Sequence, residues 1–282
     1  MPGPLDPRAP ALRWSLALWG LTAALLLWLA PPPPPPPVTT AEDEAIFQRT
    51  VDQTVEKTRR WQQERGDQNL EWDEARGHLA VVIEDVGGEL HLFEQLHALR
   101  FPLSFSVRPG VVYAPGAQLR LRADRRRPRE ILLHLSEERF LAADALEAAL
   151  QRLPGAVGVD VHLDARPPAS WTATDAWMPV LQARELYVLD ASTTPPSHAQ
   201  VVGLRALRAD LRLDADPSPA AVLAQLERAA ERAEVQPLVV IAHPSPTVVE
   251  TLREGLPRLH ARGIGVYPLS ELLAHQAAQV HE

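Results

Sequence analysis

LAVVIED (Leu79–Asp85) is a run of five apolar residues ending in two adjacent carboxylates, Glu84 and Asp85. With Gly77 before it and Gly87-Gly88 after it, the run reads as a strand buried on both faces, as in parallel α/β sheets. The interior of such a strand has little use for an ionisable group. At its carboxyl end the same group reaches the rim where parallel sheets and barrels gather their functional residues. Four later stretches repeat the pattern: ILLHL (131–135), AVGVDVH (156–162), LYVLD (186–190) and LVVIAH (238–243). They bring His134, His162, Asp190 and His243 to strand ends. From Asp85 onward the intervals are 49, 28, 28 and 53 residues, close to multiples of one βα unit.

The segments between these strands read as helices. Asp144 and Glu147 stand ahead of an amphipathic run, Ser218-Pro219 and Pro246 open two more helices, and Gly263 stops the last. LSFSV (103–107) and IGVYPL (264–269) are further strands, and VVGLRAL (201–207) is a weak one. The expected fold is α/β, a distorted (β/α) barrel of seven or eight strands preceded by an N-terminal transmembrane helix. A doubly wound open sheet is the alternative, but no GxGxxG or Walker loop follows any strand, which argues against a nucleotide-binding version.

Ahead of the barrel, Trp14 to Ala30 is seventeen residues without a charge. Arg8 and Arg13 precede it and Glu42, Asp43 and Glu44 follow, so the positive-inside tendency puts the N-terminus in the cytoplasm and the rest on the extracytoplasmic side. Pro31 to Pro37 form a stiff polyproline II spacer. Phe47, Val51, Val55 and Trp61 space an amphipathic helix over 41–65 that docks on the domain or pairs with a second copy. The expected organisation is therefore 1–13 cytoplasmic, 14–30 signal anchor, 31–75 spacer and helix, 76–275 catalytic domain and 276–282 tail.

The net charge of −8 and the even spread of charge give no footprint for nucleic acid. The local exception is Arg120, Arg122, Arg125, Arg126, Arg127 and Arg129, read as a solvated helix face and loop. Cysteine is absent, which excludes disulfides and thiolate zinc ligands. His78, His91, His97, His198, His260, His275 and His281 fall in helices or loops and are expected at the surface. Trp171 and Trp177 follow the His162 strand, where they could line a sugar cleft.

In order along the chain, VVIEDVGG, LRFPLSFSVRP, EILLHLSEE, VGVDVHLDAR, YVLDASTT, IAHPSP and VYPLSELL resemble the divergent polysaccharide deacetylase family, a branch of the NodB-like carbohydrate esterase superfamily. The resemblance covers roughly residues 78–275. It implies a divalent-metal site, zinc by donor chemistry, and hydrolysis of the N-acetyl groups of an envelope polysaccharide. By position, it makes Glu84 the catalytic base and Asp85 a metal ligand, with His134 and His162 as the other ligands. Glu138 or Asp164 could replace His162. His243 matches the proton donor, and Asp190 a residue that orients a histidine. Family members usually carry Asp-Asp where this chain has Glu84-Asp85. Asp160-Val161 and Leu163-Asp164-Ala165 alter the surroundings of His162, and Ser192 replaces an arginine. These departures leave a second implication open, a catalytically degenerate barrel that binds glycan or a protein partner.

Overall fold

The computed structural model describes residues 45, 48–49, 52–53, 66–68, 70–125, 127–135, 143–162, 176–192 and 204–280. The chain divides into two units, Met1–Glu56 and Lys57–Glu282. In the first unit the described residues are helical, with Gln48 bonded to Asp52 one turn on. The expected anchor, the proline spacer and the apolar positions Phe47, Val51, Val55 and Trp61 lie outside the described residues. Among the described residues no helix is long and apolar enough to cross a membrane.

The second unit alternates strands and helices. In order these are β1 (Gly77–Val86), α1 (Leu90–His97), β2 (Ser104–Val107), α2 (Ala114–Ala123), β3 (Ile131–Leu135), α3 (Ala143–Arg152) and β4 (Gly158–Val161). A helix over 176–183, α4, leads to β5 (Tyr187–Asp190), β6 (Ala206–Arg208) and β7 (Leu211–Arg212). Then come α5 (Pro219–Ala233), β8 (Leu238–Ala242), α6 (Pro246–Ala261), β9 (Ile264–Val266) and α7 (Leu269–Val280). Pro219 and Pro246 each sit in a first helical turn, where the missing N–H has no intrahelical partner to lose.

Every strand pairing is parallel, in the order β6-β5-β4-β3-β2-β1-β8-β7, with β9 attached to β1. β6 and β7 stand at opposite ends of this ladder, yet only Ala209 and Asp210 separate them. Ala209 donates its N–H to the Asp190 carbonyl at the end of β5, and Asp210 donates to the Val239 carbonyl on β8. One broken strand therefore touches both ends of the sheet. The sheet must curl to allow this, and the result is a curled parallel half-barrel. This break divides the weak strand pattern of 204–214 into two short strands.

Residues alternate between the two faces of the curl. Leu79, Val81 and Ile83 of β1, with Leu133, Val159, Val188 and Val240, pack against the helices in the larger core. Ala80, Val82, Leu132, Tyr187, Leu189, Val239 and Ile241 point inward, where Leu269, Leu272 and Leu273 of α7 meet them. Gly158 belongs to the inward set, and a Cβ there would lie 2.8 Å from both Leu132 and Tyr187. Trp177 is 3% exposed within the helix layer, so it packs the core and does not line a cleft. Trp171 lies outside the described residues.

The arginine run is not uniformly solvated. Arg120 pairs with Glu94 at the surface, as expected, while Arg127 is half-buried against Asp124. Arg129 instead has a fully buried side chain that clamps Asp67 with both guanidinium nitrogens and donates to the Leu99 carbonyl. His97, expected at the surface, is buried against Phe93 and Phe105.

Candidate functional site

Alternation along the strands selects the site. Continuing the inward set past the apolar core gives Glu84 on β1, Ser106 on β2, His134 on β3, Asp160 on β4 with His162 just after it, Arg212 on β7 with Asp214 just after it, and His243 after β8. Asp85 should face the other way, because neighbours on a strand point to opposite faces. It does not, because its φ is +54° and the β1–β2 register shifts between Ile83 and Val86. This left-handed residue forms a bulge that turns the second carboxylate onto the same rim as the first. Asp tolerates that conformation better than most side chains. Gly87, at φ +116°, completes the turn, and a Cβ there would collide with Val111.

The rim is a chain of charge contacts. Arg108 holds Asp85 Oδ2 at 2.5 Å. Asp85 Oδ1 lies 3.0 Å from His134 Nε2. On the far side of that ring, Nδ1 lies 2.8 Å from Asp160 Oδ2, which also accepts from the Ser106 hydroxyl. The His134 and His162 rings meet edge to face at 5.7 Å. His162 Nε2 is 3.5 Å from Glu84 Oε1, and Arg212 reaches Glu84 Oε2 at 2.8 Å. His243 closes the arc: Asp214 takes a bond from its Nδ1 at 2.9 Å and another from its backbone N–H at 3.0 Å. Its Nε2 then faces Glu84 Oε2 at 3.9 Å.

Burial sets the electrostatics. Glu84 and Asp160 are wholly buried and His134 is 2% exposed. Burial and the charge of Asp160 push the Glu84 carboxyl up to about 7, against the opposing pull of Arg212 and His134. Burial would lower His134, but the charge and hydrogen bond of Asp160, then Asp85, outweigh it and raise the imidazole to about 10. Burial also works against ionisation of Asp85, yet His134 and Arg108 hold it well below the usual carboxylate range. His243 is raised, chiefly by its hydrogen bond to Asp214.

The donor set fits a divalent cation. Glu84, His134, Asp160 and His162 each offer one oxygen or nitrogen, all within 4.8 Å of one another. Both Glu84 oxygens, Asp85 Oδ1 and Asp160 Oδ1 are buried without a well-formed hydrogen bond among the described residues. The Glu84 and Asp85 oxygens meet Arg212, His162 and His134 only as ion pairs, and so much buried negative charge is costly unless a cation or protons compensate it. The Asp85–His134 separation of 3.0 Å approaches the ~3.3 Å between neighbouring donors around a tetrahedral zinc.

Of the residues marked in the sequence, Glu84, Asp85, His134, His162 and His243 converge. Asp190 sits at the end of β5 with its neighbour Val188 facing the helices, and its Oδ1 accepts from the Ser192 amide. The carboxylate that orients His243 is Asp214. Sequence reasoning missed Asp214, Arg212, Arg108 and Asp160. Their signal was positional: each stands two residues from another inward residue of its own strand. Glu138 and Asp164 lie outside the described residues.

A family model for divergent polysaccharide deacetylases matches residues 128–273, just over half of the chain. The chain belongs to the divergent polysaccharide deacetylase family. The matched stretch starts after Glu84 and Asp85, and it is the folded geometry that brings those two carboxylates beside His134, His162 and His243 within it. The chain is 26% identical over 200 residues to the uncharacterized protein YibQ of Escherichia coli, with 63% of this chain and 62% of that one covered. It spans less than two thirds of that relative's length. Identity is also 26%, over 207 residues, to an uncharacterized protein of Haemophilus influenzae, covering 66% and 73%. Among solved structures, an uncharacterized protein of Agrobacterium tumefaciens superposes with a TM-score of 0.61 at 19% identity, over 73% of this chain and 93% of that one. That likeness shows a shared fold.

Proposed function

We propose that this protein is a metal-dependent deacetylase of an N-acetylated polysaccharide of the cell envelope. The observation that carries the reading is the excess of buried carboxylate oxygens beside two histidines, opposite a third histidine held by its own carboxylate. Asp85, His134 and His162 would hold the ion, zinc by its preference for imidazole and carboxylate. When bound, such an ion polarises the amide carbonyl and acidifies water. Glu84 takes a proton from the attacking water, and its carboxyl, poised near 7, suits that exchange at neutral pH. The water oxygen bonds to the acetyl carbon, the C–N bond breaks, and His243 protonates the departing amine as acetate leaves. Asp214 favours the charged form of the His243 ring and holds it turned toward Glu84. Anchoring of the chain by residues 14–30, with the domain facing the envelope, is supported by that apolar segment and the arginines before it.

A second reading has its own observation. Glu84 is 0% exposed and tied to Arg212, a poor situation for a base that must meet water. On that reading the half-barrel binds glycan without cleaving it. The test is acetate release by the zinc-loaded full chain in detergent from N-acetylated oligosaccharides and peptidoglycan fragments. Release that depends on zinc and disappears in Glu84→Gln is expected. No release across the panel by a chain holding stoichiometric zinc would leave the binding module.

A further inference from the structure

The inward-facing wall of β2, β3 and β4 carries Ser106, His134 and Asp160 side by side, and the Asp160 carboxylate has no access to solvent. Register explains the placement. His134 and Asp160 are direct partners across the β3–β4 ladder, so both side chains leave the sheet side by side. The next partner outward, Leu189 on β5, offers no bond. Among the described residues, the partners of Asp160 are Ser106 and His134, and one oxygen, Oδ2, serves both. Ser106 Oγ also lies 3.3 Å from the same ring nitrogen, so the three groups form a closed triangle.

We infer that Asp160 is the positioning residue of the metal centre, fixing the His134 ring with its Nδ1–H on the carboxylate and Nε2 turned to the cation. The inference rests on the metal-site reading above. The ring has two nitrogens, and a metal ligand must present a lone pair on one of them. Committing Nδ1 to a buried carboxylate leaves Nε2, which already faces Asp85 Oδ1 at 3.0 Å. Histidine ligands commonly donate their other N–H to a carboxylate in this way, and removing that acceptor weakens metal affinity about 10–100-fold. Ser106 restrains the carboxylate. Asp160 is also near enough to Glu84, His134 and His162 to be a ligand itself. Its Oδ2 is already shared by two donors, which favours the positioning role.

Two measurements on the full chain in detergent decide the matter. The first needs no metal. In zinc-free protein, proton NMR should show a downfield, slowly exchanging His134 Nδ1–H, assigned by its loss in His134→Gln. Asp160→Asn should move it upfield and speed its exchange. Its absence from the parent chain, or its persistence unchanged in the variant, would overturn the proposal whatever the protein does with zinc. The second is zinc affinity by competition with a chromophoric chelator. Asp160→Asn should lower affinity about 10–100-fold while the absorption spectrum of the cobalt-saturated form keeps its shape. A changed cobalt spectrum would make Asp160 a ligand and overturn the positioning role, as would unchanged affinity. A parent chain that binds no zinc but keeps the protected proton would instead defeat the metal-site reading and uphold the Asp160–His134 arrangement.

Discussion

The inward face of the half-barrel carries acids at both ends, and the two ends treat them differently. At the amino-terminal end, Glu130 just before β3 accepts from Ser104 Oγ at 2.9 Å, from Tyr187 OH at 3.4 Å and from the Ser270 amide of α7 at 3.2 Å. Donors there match acceptors, and the acid also favours the positive end of the helix. At the carboxyl-terminal end, four carboxylates face three histidines and two arginines, and five of the buried oxygens lack a well-formed hydrogen bond among the described residues. The first arrangement is complete and serves the fold. The second is incomplete as a structure, and incompleteness of that kind marks a place prepared for a charged ligand.

The largest effect separating the two ends is expected from His134→Ala. It leaves Asp160 and Asp85 facing each other across a cavity. Loss of one partner of a buried pair costs about 3–5 kcal/mol, so urea denaturation of the metal-free chain should show a large fall, and zinc stoichiometry should drop to background. A fall below 1 kcal/mol would mean that the rim charges are solvated and the contrast is false. Glu130→Ala at the opposite end should cost about 1–3 kcal/mol, because Ser104 and Tyr187 lose their acceptor. Zinc affinity should stay at the parent value, and a coupled loss would show that the ends are not independent.

The smallest effect sharpens the role of Asp214. Its bond raises His243 above the ordinary imidazole value of 6.5. The charged imidazole is therefore favoured in the fold. Its stabilisation is fully present below 6.5 and is lost as pH rises through the elevated value. If His243 is the proton donor, Asp214→Asn should move the alkaline limb of the pH–rate profile downward, with an unchanged zinc content. A limb that stays in place would assign the donor elsewhere.

The fold was legible because apolar runs and terminal polar residues repeat at βα spacing, and five of those residues do meet. The rest was hidden for physical reasons. Asp85 reaches the rim only through a left-handed bulge, and an adjacent Glu-Asp pair on a regular strand would straddle the sheet. Asp190 was drawn in by its place at a strand end, but alternation puts it on the opposite face from Tyr187 and Leu189. Arg212 ends a strand of two residues and Asp214 follows it, in a run, LRLDAD, too polar to read as buried. Asp160 looked like an altered neighbour of His162. Counting back two residues along the strand gives it the same face, and with it a partner in His134.

The clamp between Arg129 and Asp67 gives the autonomous fold an electrostatic border. The Arg129 guanidinium is out of contact with solvent, and its counter-charge comes from a residue ten positions before β1 begins. A chain cut at residue 76 would keep every described strand yet leave that cation unpaired in the interior, at a cost of about 3–5 kcal/mol. Typical domains have only ~5–15 kcal/mol to lose. Gly66, whose carbonyl takes a bond from Arg100, and Gln68, whose amide donates to the Arg100 carbonyl, reinforce the same seam. The minimal folding unit is therefore longer than its sheet, and begins where the last buried charge finds its partner.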